Sequence, residues 1–294
     1  MDFIIRRAEK SDYDGIIDII SKVFGPNDFI QLQISKWINE SDLNYPLIAQ
    51  EKESHEYASF NNIKIIGDYA WLEGLRVVPK FRRQKLALQM TEKSLIAPIL
   101  KYVNRIGYAT GNENFPMHKV ANSLGFSNIG KQIVFFKKFS LDDKKDEESY
   151  INYNGIKDKN LFYALINKKY NSQIFTSFFK IPNNEKGKDL FSKIPVYESD
   201  VSYLLYEKDH GETTNQRGIF TVFLKNNLSI NQLFQELTLL ESSKFVKQYE
   251  AFSFAIPFVD IVDIDNQNIL LTKSKEQNFQ IHILKFFEKK LSDN

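Results

Sequence analysis

Residues 70–87 constrain this chain more than any other stretch. Ala70-Trp71-Leu72-Glu73-Gly74-Leu75-Arg76-Val77 reads as a strand, and Pro79, which lacks a ladder donor, closes it. Arg82-Arg83-Gln84-Lys85 is a basic turn, and Leu86, Met90, Leu95, Ile96, Ile99 and Leu100 mark one long helix behind it. A strand that passes through a cationic turn into a helix brings together the unpartnered N–H groups of the first helical turn, the positive end of the helix dipole, and the charges of Arg82, Arg83 and Lys85. That is an anion site suited to a pyrophosphate. A solvated basic loop is the competing reading, and charge alone does not separate the two.

The flanking pattern alternates strand and helix. Phe3 to Arg7 reads as a strand, Ile16 to Val23 and Phe29 to Asn39 as a helical pair, and Leu47–Glu51, Glu56–Ile66 and Asp68–Val77 as an antiparallel meander. Arg105 to Thr110 is a further strand, Met117 to Leu124 a helix stopped by Gly125, and Gln132 to Phe139 an alternating strand. A first domain over 1–140 follows, then a mixed-charge linker over 141–155 that has no apolar face, then a C-terminal α/β domain over 156–294. In that second half Leu161–Tyr170 and Ile230–Leu240 read as helices, and Gly218–Lys225, Tyr249–Phe258 and Gln280–Phe287 as strands. This order repeats the first half and suggests a duplication.

Composition removes several classes of function. The 39 basic and 37 acidic residues leave a net charge of +2, too little for a dedicated nucleic-acid binder. With no cysteine there is no disulfide framework, thiolate metal site or cysteine nucleophile, and the four histidines lack metal-ligand spacing, so no metal is expected. The N-terminus carries charge within ten residues and no signal-like apolar region, and no apolar run reaches membrane-spanning length. A cytoplasmic protein without a membrane partner is expected.

The order of residues in the basic turn carries more information than its charge. Arg82-Arg83-Gln84-Lys85-Leu86-Ala87, preceded by Val77-Val78-Pro79-Lys80-Phe81, resembles motif A of the GNAT superfamily of acetyl-CoA-dependent N-acetyltransferases, R/Q-x-x-G-x-G/A, with Lys85 in place of the first glycine. Asn114, eleven positions before Gly125-Phe126, is similar to the family's Asn-helix-Gly-Phe segment. Asn27-Asp28-Phe29, Lys36-Trp37-Ile38-Asn39-Glu40 and Trp71 to Val77 look like the two-domain histidine N-acetyltransferase type. The resemblance implies a mixed α/β fold, with a largely antiparallel twisted sheet flanked by helices and a second domain that reads as a degenerate repeat.

It also implies residue roles. Acetyl-CoA would lie between two parallel strands that open into a V, with backbone atoms of Leu75, Arg76 and Val77 pairing with pantetheine. The N–H groups of Arg83, Gln84, Lys85, Leu86, Ala87 and Leu88, beside Arg82, would cradle the pyrophosphate, and Asn114 would line the coenzyme. Lysine at 85 adds a Cβ that costs about 1 kcal/mol if φ is positive there. Glu73 occupies a general-base position of some members. Against that stands a structural carboxylate paired with Arg76 or another cation. The Leu75 N–H would stabilise the oxyanion. The family's acid tyrosine falls on Ala121, which leaves water, Tyr108 or His118 as proton sources, or a degenerate enzyme. The second half lacks the motif, so it is expected to bind no second coenzyme. The function implied is acetyl transfer to a primary amine of a small molecule, the α-amine of an amino acid such as histidine included. The alternatives are a non-catalytic acyl-CoA-binding regulatory protein and a protein N-acetyltransferase.

Overall fold

The computed structural model describes all residues except 26, 27, 29, 41, 139–153, 172, 177–179, 208–216, 243–250, 258, 259, 262–266 and 292–294. Most of the expected linker 141–155, and Asn27 and Phe29 of the expected subgroup motif, lie outside the described residues. The chain divides into two units, Met1–Asn128 with Phe286–Asn294, and Ile129–Lys285. The residues read from sequence as the strand that closes the first half cluster with the second unit, whereas the chain's last described strand returns to the first.

In the first unit β1 (Phe3–Arg7) leads to α1 (Tyr13–Phe24) and α2 (Gln31–Asn39), then to β2 (Leu47–Glu51), β3 (Tyr57–Ile66) and β4 (Tyr69–Val77). α3 (Leu86–Leu95), β5 (Arg105–Gly111) and α4 (Phe115–Ser123) follow. The sheet order is β1-β2-β3-β4-β5 and then the closing strand, Gln280–Lys290. β1 to β4 pair antiparallel, and β4 pairs parallel with β5. The three β-rich runs do form the expected meander.

α1 buries Ile16, Ile19 and Ile20 on one stripe and stops at Gly25, whose φ of +83° a glycine adopts without strain. The long helix expected from Leu86 to Leu100 ends at Leu95. Ala97 precedes Pro98, and the proline ring drives it into extended geometry, φ −68° and ψ 137°, before a short 3₁₀ turn over Pro98–Leu100. Ile48, Phe60, Ile63, Phe81, Met90 and Phe287 are all buried in one apolar cluster.

The second unit holds β6 (Ser127–Lys138), most of it, β7 (Asn154–Gly155), α5 (Lys159–Lys169), the hairpin β8 (Ile174–Phe175) and β9 (Lys180–Ile181), and α6 (Glu185–Lys193). β10 (Val196–Glu198), β11 (Ser202–Glu207), β12 (Arg217–Leu224), α7 (Ile230–Ser242), β13 (Ala251–Pro257), α8 (Gln267–Glu276) and the first part of β14 (Gln280–Lys290) complete it. Its strands run β7-β10-β11-β12-β13, antiparallel until the final parallel pair. That order matches β1-β2-β3-β4-β5 strand for strand, and among the described residues a helix pair follows the first strand and one α-helix lies between the parallel partners in both. The two units share this strand topology.

Candidate functional site

The two parallel strands of the first unit touch over a short length only. Tyr69, Ala70 and Trp71 of β4 register against Arg105, Ile106 and Gly107 of β5, and the pairing ends there. β4 runs on to Val77 and β5 to Gly111, so six residues of β4, Leu72 to Val77, continue past the last pair. Their main-chain groups on that side need partners other than β5. Leu75, Arg76 and Val77, the residues expected to meet pantetheine, lie on this stretch.

β4 is also bent. Asn62 registers with Glu73 while Phe60 registers with Arg76, so β4 carries one residue more than β3 between these pairs. Gly74 within that interval has φ +72°, which makes it a bulge of the glycine type. A Cβ there would sit 3.2 Å from the Trp37 ring, so α2 packs closely over this position. A bulge re-aims the N–H groups that follow it, in this case those of Leu75 and Arg76.

Beyond β4 the chain turns through Pro79–Phe81 and reaches α3 by way of Arg82, Arg83, Gln84 and Lys85. Arg83 has φ +63° and Lys85 φ +59°, both left-handed. Lys85 is the N-cap of α3 and holds a left-handed backbone conformation that glycine adopts freely. A left-handed residue followed by helical Leu86 turns successive N–H groups toward one side, forming an anion nest. Arg82, Arg83 and Lys85 are exposed, and Arg83 and Lys85 make no ion pair with a described residue. Leu86 is buried, Ala87 and Leu88 are half-buried, and Gln84 lies between the two left-handed positions.

Glu73 is half-buried on β4 and accepts a hydrogen bond from Asn62 Nδ2 at 2.9 Å. Burial pushes its carboxyl above the ordinary carboxylate range, against the opposing pull of Lys64, the Asn62 hydrogen bond and Lys36. Arg76 is not its partner. The guanidinium pairs instead with Asp28, Nε to Oδ2 at 2.9 Å and Nη2 to Oδ1 at 3.2 Å, with the Phe24 ring 4.3 Å from its Cζ. Asp28 is nearly buried, so this fork ties the segment between α1 and α2 to β4. Sequence reasoning passed over Asn62, Asn44 and Gly74 as site residues. Only the glycine inside a strand pattern carried a signal, that of a bulge.

On the second arm of the V, Asn114 caps α4 and donates from Nδ2 to Thr110 Oγ1 at 2.8 Å. Ala121 is fully buried in the core. Tyr108 is buried, donates to the Met117 carbonyl at 3.1 Å and stacks on Phe287. Burial pushes its phenol far above the normal range. It is a core residue in this geometry and poorly placed to give up a proton. His118, half-buried, has Nε2 3.2 Å from the Gly111 carbonyl and packs between Phe115 and Phe287 at the end of β5. Among the described residues no group of His, Cys, Asp and Glu is disposed to hold a metal, and no helix is long and apolar enough to cross a membrane.

No family model and no curated protein matches the sequence. Solved structures do match the fold. A protein of Thermoplasma acidophilum classed as an acetyltransferase aligns over 98% of this chain and 100% of its own, with 11% identity and a TM-score of 0.56. One from Pyrococcus horikoshii, classed likewise, aligns over 99% of this chain and 90% of its own, with 12% identity and a TM-score of 0.57. A GCN5-related N-acetyltransferase from Sphaerobacter thermophilus aligns over 98% and 95%, with 10% identity and a TM-score of 0.57. Identities this low establish a shared architecture, the GNAT fold.

Proposed function

We propose that this chain is an acetyl-CoA-dependent N-acetyltransferase that acts on a primary amine of a small molecule. The observation that carries the reading is the parting of β4 from β5 after Trp71 and Gly107, beside a cationic turn whose residues 83 and 85 are both left-handed. The residues fit the coenzyme. The left-handed Lys85 leads into the free N–H groups of Leu86, Ala87 and Leu88, and the exposed Arg82, Arg83 and Lys85 supply positive charge for a diphosphate. The stretch from Leu75 to Val77, past the last β4–β5 pair, offers its N–H groups to an amide-bearing arm, while the Leu75 and Val77 carbonyls accept from the Arg76 and Arg82 side chains until a ligand displaces them, and Asn114 at the head of α4 borders the opposite side.

When bound, the coenzyme supplies an activated acyl group. The protein's part is to bring an amine to it in the neutral form. Glu73, its carboxyl raised by burial, accepts a proton from the acceptor ammonium, and the Leu75 N–H, re-aimed by the Gly74 bulge, is the donor for the developing oxyanion. Water or His118 gives the proton to the departing thiolate, since Ala121 has no hydroxyl and Tyr108 is engaged with a carbonyl. The segments around Lys36–Glu40 and Trp71–Val77 favour the α-amine of an amino acid such as histidine as acceptor. Cytoplasmic residence fits a supply of acetyl-CoA.

Calorimetry with coenzyme A, followed by thiol release from acetyl-CoA over a panel of amino acids, polyamines and peptides, tests this reading. Coenzyme binding in the micromolar range with turnover of a small amine is expected. The buried Ala121 favours a second reading, a regulatory module that binds acyl-CoA without catalysis. Binding without turnover on any amine would establish that instead, and turnover of peptides alone would make the acceptor a protein. Absence of coenzyme binding would overturn all three.

A further inference from the structure

We infer that Asn62, held in place by Asn44, is a positioning residue that fixes the Glu73 carboxyl with one oxygen occupied and the other open to a proton. The inference rests on the reading of Glu73 as the base. Asn62 lies on β3 directly opposite Glu73 and is fully buried. Its amide nitrogen donates to Glu73 Oε1 and to Asn44 Oδ1, both at 2.9 Å.

Asn44 is oriented in turn from outside the pair. Its Nδ2 faces the Glu40 carbonyl at 3.4 Å, and the same carbonyl accepts its backbone N–H at 3.0 Å, which leaves Oδ1 turned toward Asn62. A flipped Asn62 would set its own oxygen against two acceptors, so the amide has one orientation. Keeping it leaves Asn62 Oδ1 buried with no hydrogen-bond partner. A buried polar atom without a partner is costly, and a leucine would fill the same space without that penalty. The arrangement makes sense as a device that serves Glu73.

With Oε1 held, Oε2 makes no hydrogen bond to a described residue and receives the proton. An ammonium N–H breaks, its electron pair stays on nitrogen, and a neutral amine and a neutral carboxyl result. The charged groups that face Glu73 are Lys64 from β3 and Lys36 from α2, and the Lys36 ammonium also lies 4.0 Å from Glu40. Both cations and the Asn62 amide favour the ionised carboxylate, and burial opposes them.

The test is a pH titration of the full chain labelled with ¹³C in the glutamate carboxyls, with the Glu73 signal assigned by its loss in Glu73→Gln. Removing the amide in Asn62→Leu is expected to raise the proton affinity of Glu73 at least about tenfold. Asn44→Leu, which frees Asn62 to rotate but touches Glu73 nowhere, is expected to raise it by less. If Asn62→Leu does not fold, Asn44→Leu decides alone. A Glu73 titration that is unmoved in the folded variants overturns the inference. The readout needs no coenzyme or acceptor, so it fails or succeeds independently of the calorimetry and thiol-release assays. With any amine that turns over, the acid limb of kcat/KM should move in step with the titration while the KM for acetyl-CoA stays fixed.

Discussion

Lys85 and Glu73 each hold an arrangement that stability alone would not favour. Lys85 sits at φ +59°, where a Cβ is strained, and two replacements separate strain from charge. Lys85→Ala and Lys85→Gly both delete the ammonium, but only the second removes the Cβ. The glycine variant should be more stable than the alanine variant by about 1 kcal/mol in urea unfolding, while both weaken coenzyme A binding at low salt. Equal stability would mean that the turn is not left-handed in solution. Glu73 gives a pH-dependent effect. Its folded carboxyl is raised above 4.5, so the folded state holds the proton more tightly than the unfolded one, and stability falls as pH climbs from 4.5 through the folded value. Glu73→Gln should therefore melt higher than the parent at pH 8, by about 2–4 °C for each kcal/mol recovered, with the gain fading below pH 4.5. A gain undiminished at pH 4 would rule out the raised carboxyl. At this scale the sequence exposed the groups with a chemical signature, the basic turn and an acidic residue in an apolar strand. It hid Asn62 and Asn44, because an asparagine in a strand or just before one is ordinary until its place relative to Glu73 is known.

Elements position these groups through their ends and irregularities. β4 supplies its carboxylate, its bulge and its edge past the last β4–β5 pair in consecutive residues, and the Arg76–Asp28 fork secures the chain between α1 and α2 beside it. Asp28→Ala would leave the guanidinium without its carboxylate and should destabilise the fold by about 3 kcal/mol, read as a lower urea midpoint with an unchanged m-value. An exposed, replaceable pair would show less than about 1 kcal/mol. The meander and the strand–turn–helix were legible because their hydrophobic period and Pro79 are local signals. The early end of α3 was less so, since the apolar stripe continues through Ile99 and Leu100 although Pro98 forbids the helix there. β10 escaped notice because three residues are too few for any period to show. The second unit also shows how a parallel pair can be kept and the gap lost. After β12 and β13 pair as far as Thr221 and Ala255, Asp260 accepts the Leu224 N–H, and Leu228 donates to the Asp260 carbonyl. These bonds lace together the two chains that would otherwise part, and Tyr170 and Lys169 close on the same carboxylate.

At the level of the whole chain, the candidate site depends on residues remote in sequence. Phe287 is buried against Tyr108 and belongs to the core shared by α3 and β5, Lys289 donates to the Leu124 carbonyl at 2.6 Å, and Leu291 N–H reaches the Asn104 carbonyl at 2.9 Å. Phe287→Ala should cost about 3–5 kcal/mol. Hydrogen exchange should place the lost protection in β5 and α4. A loss confined to residues 129–285 would contradict the division of the chain. A sequence read in order has no means of finding this exchange, since Gln132–Phe139 and Gln280–Phe287 are equally good strands and only three-dimensional pairing distinguishes them.

That closing strand bears on how the protein comes into being. A nascent chain that has emerged only as far as Asn128 carries the cationic turn, Glu73 and both arms of the V, yet β5 has one edge bare until Gln280–Lys290 has been made. The coenzyme site would then mature only after the second unit, encoded between β5 and the strand that covers it, has been synthesised.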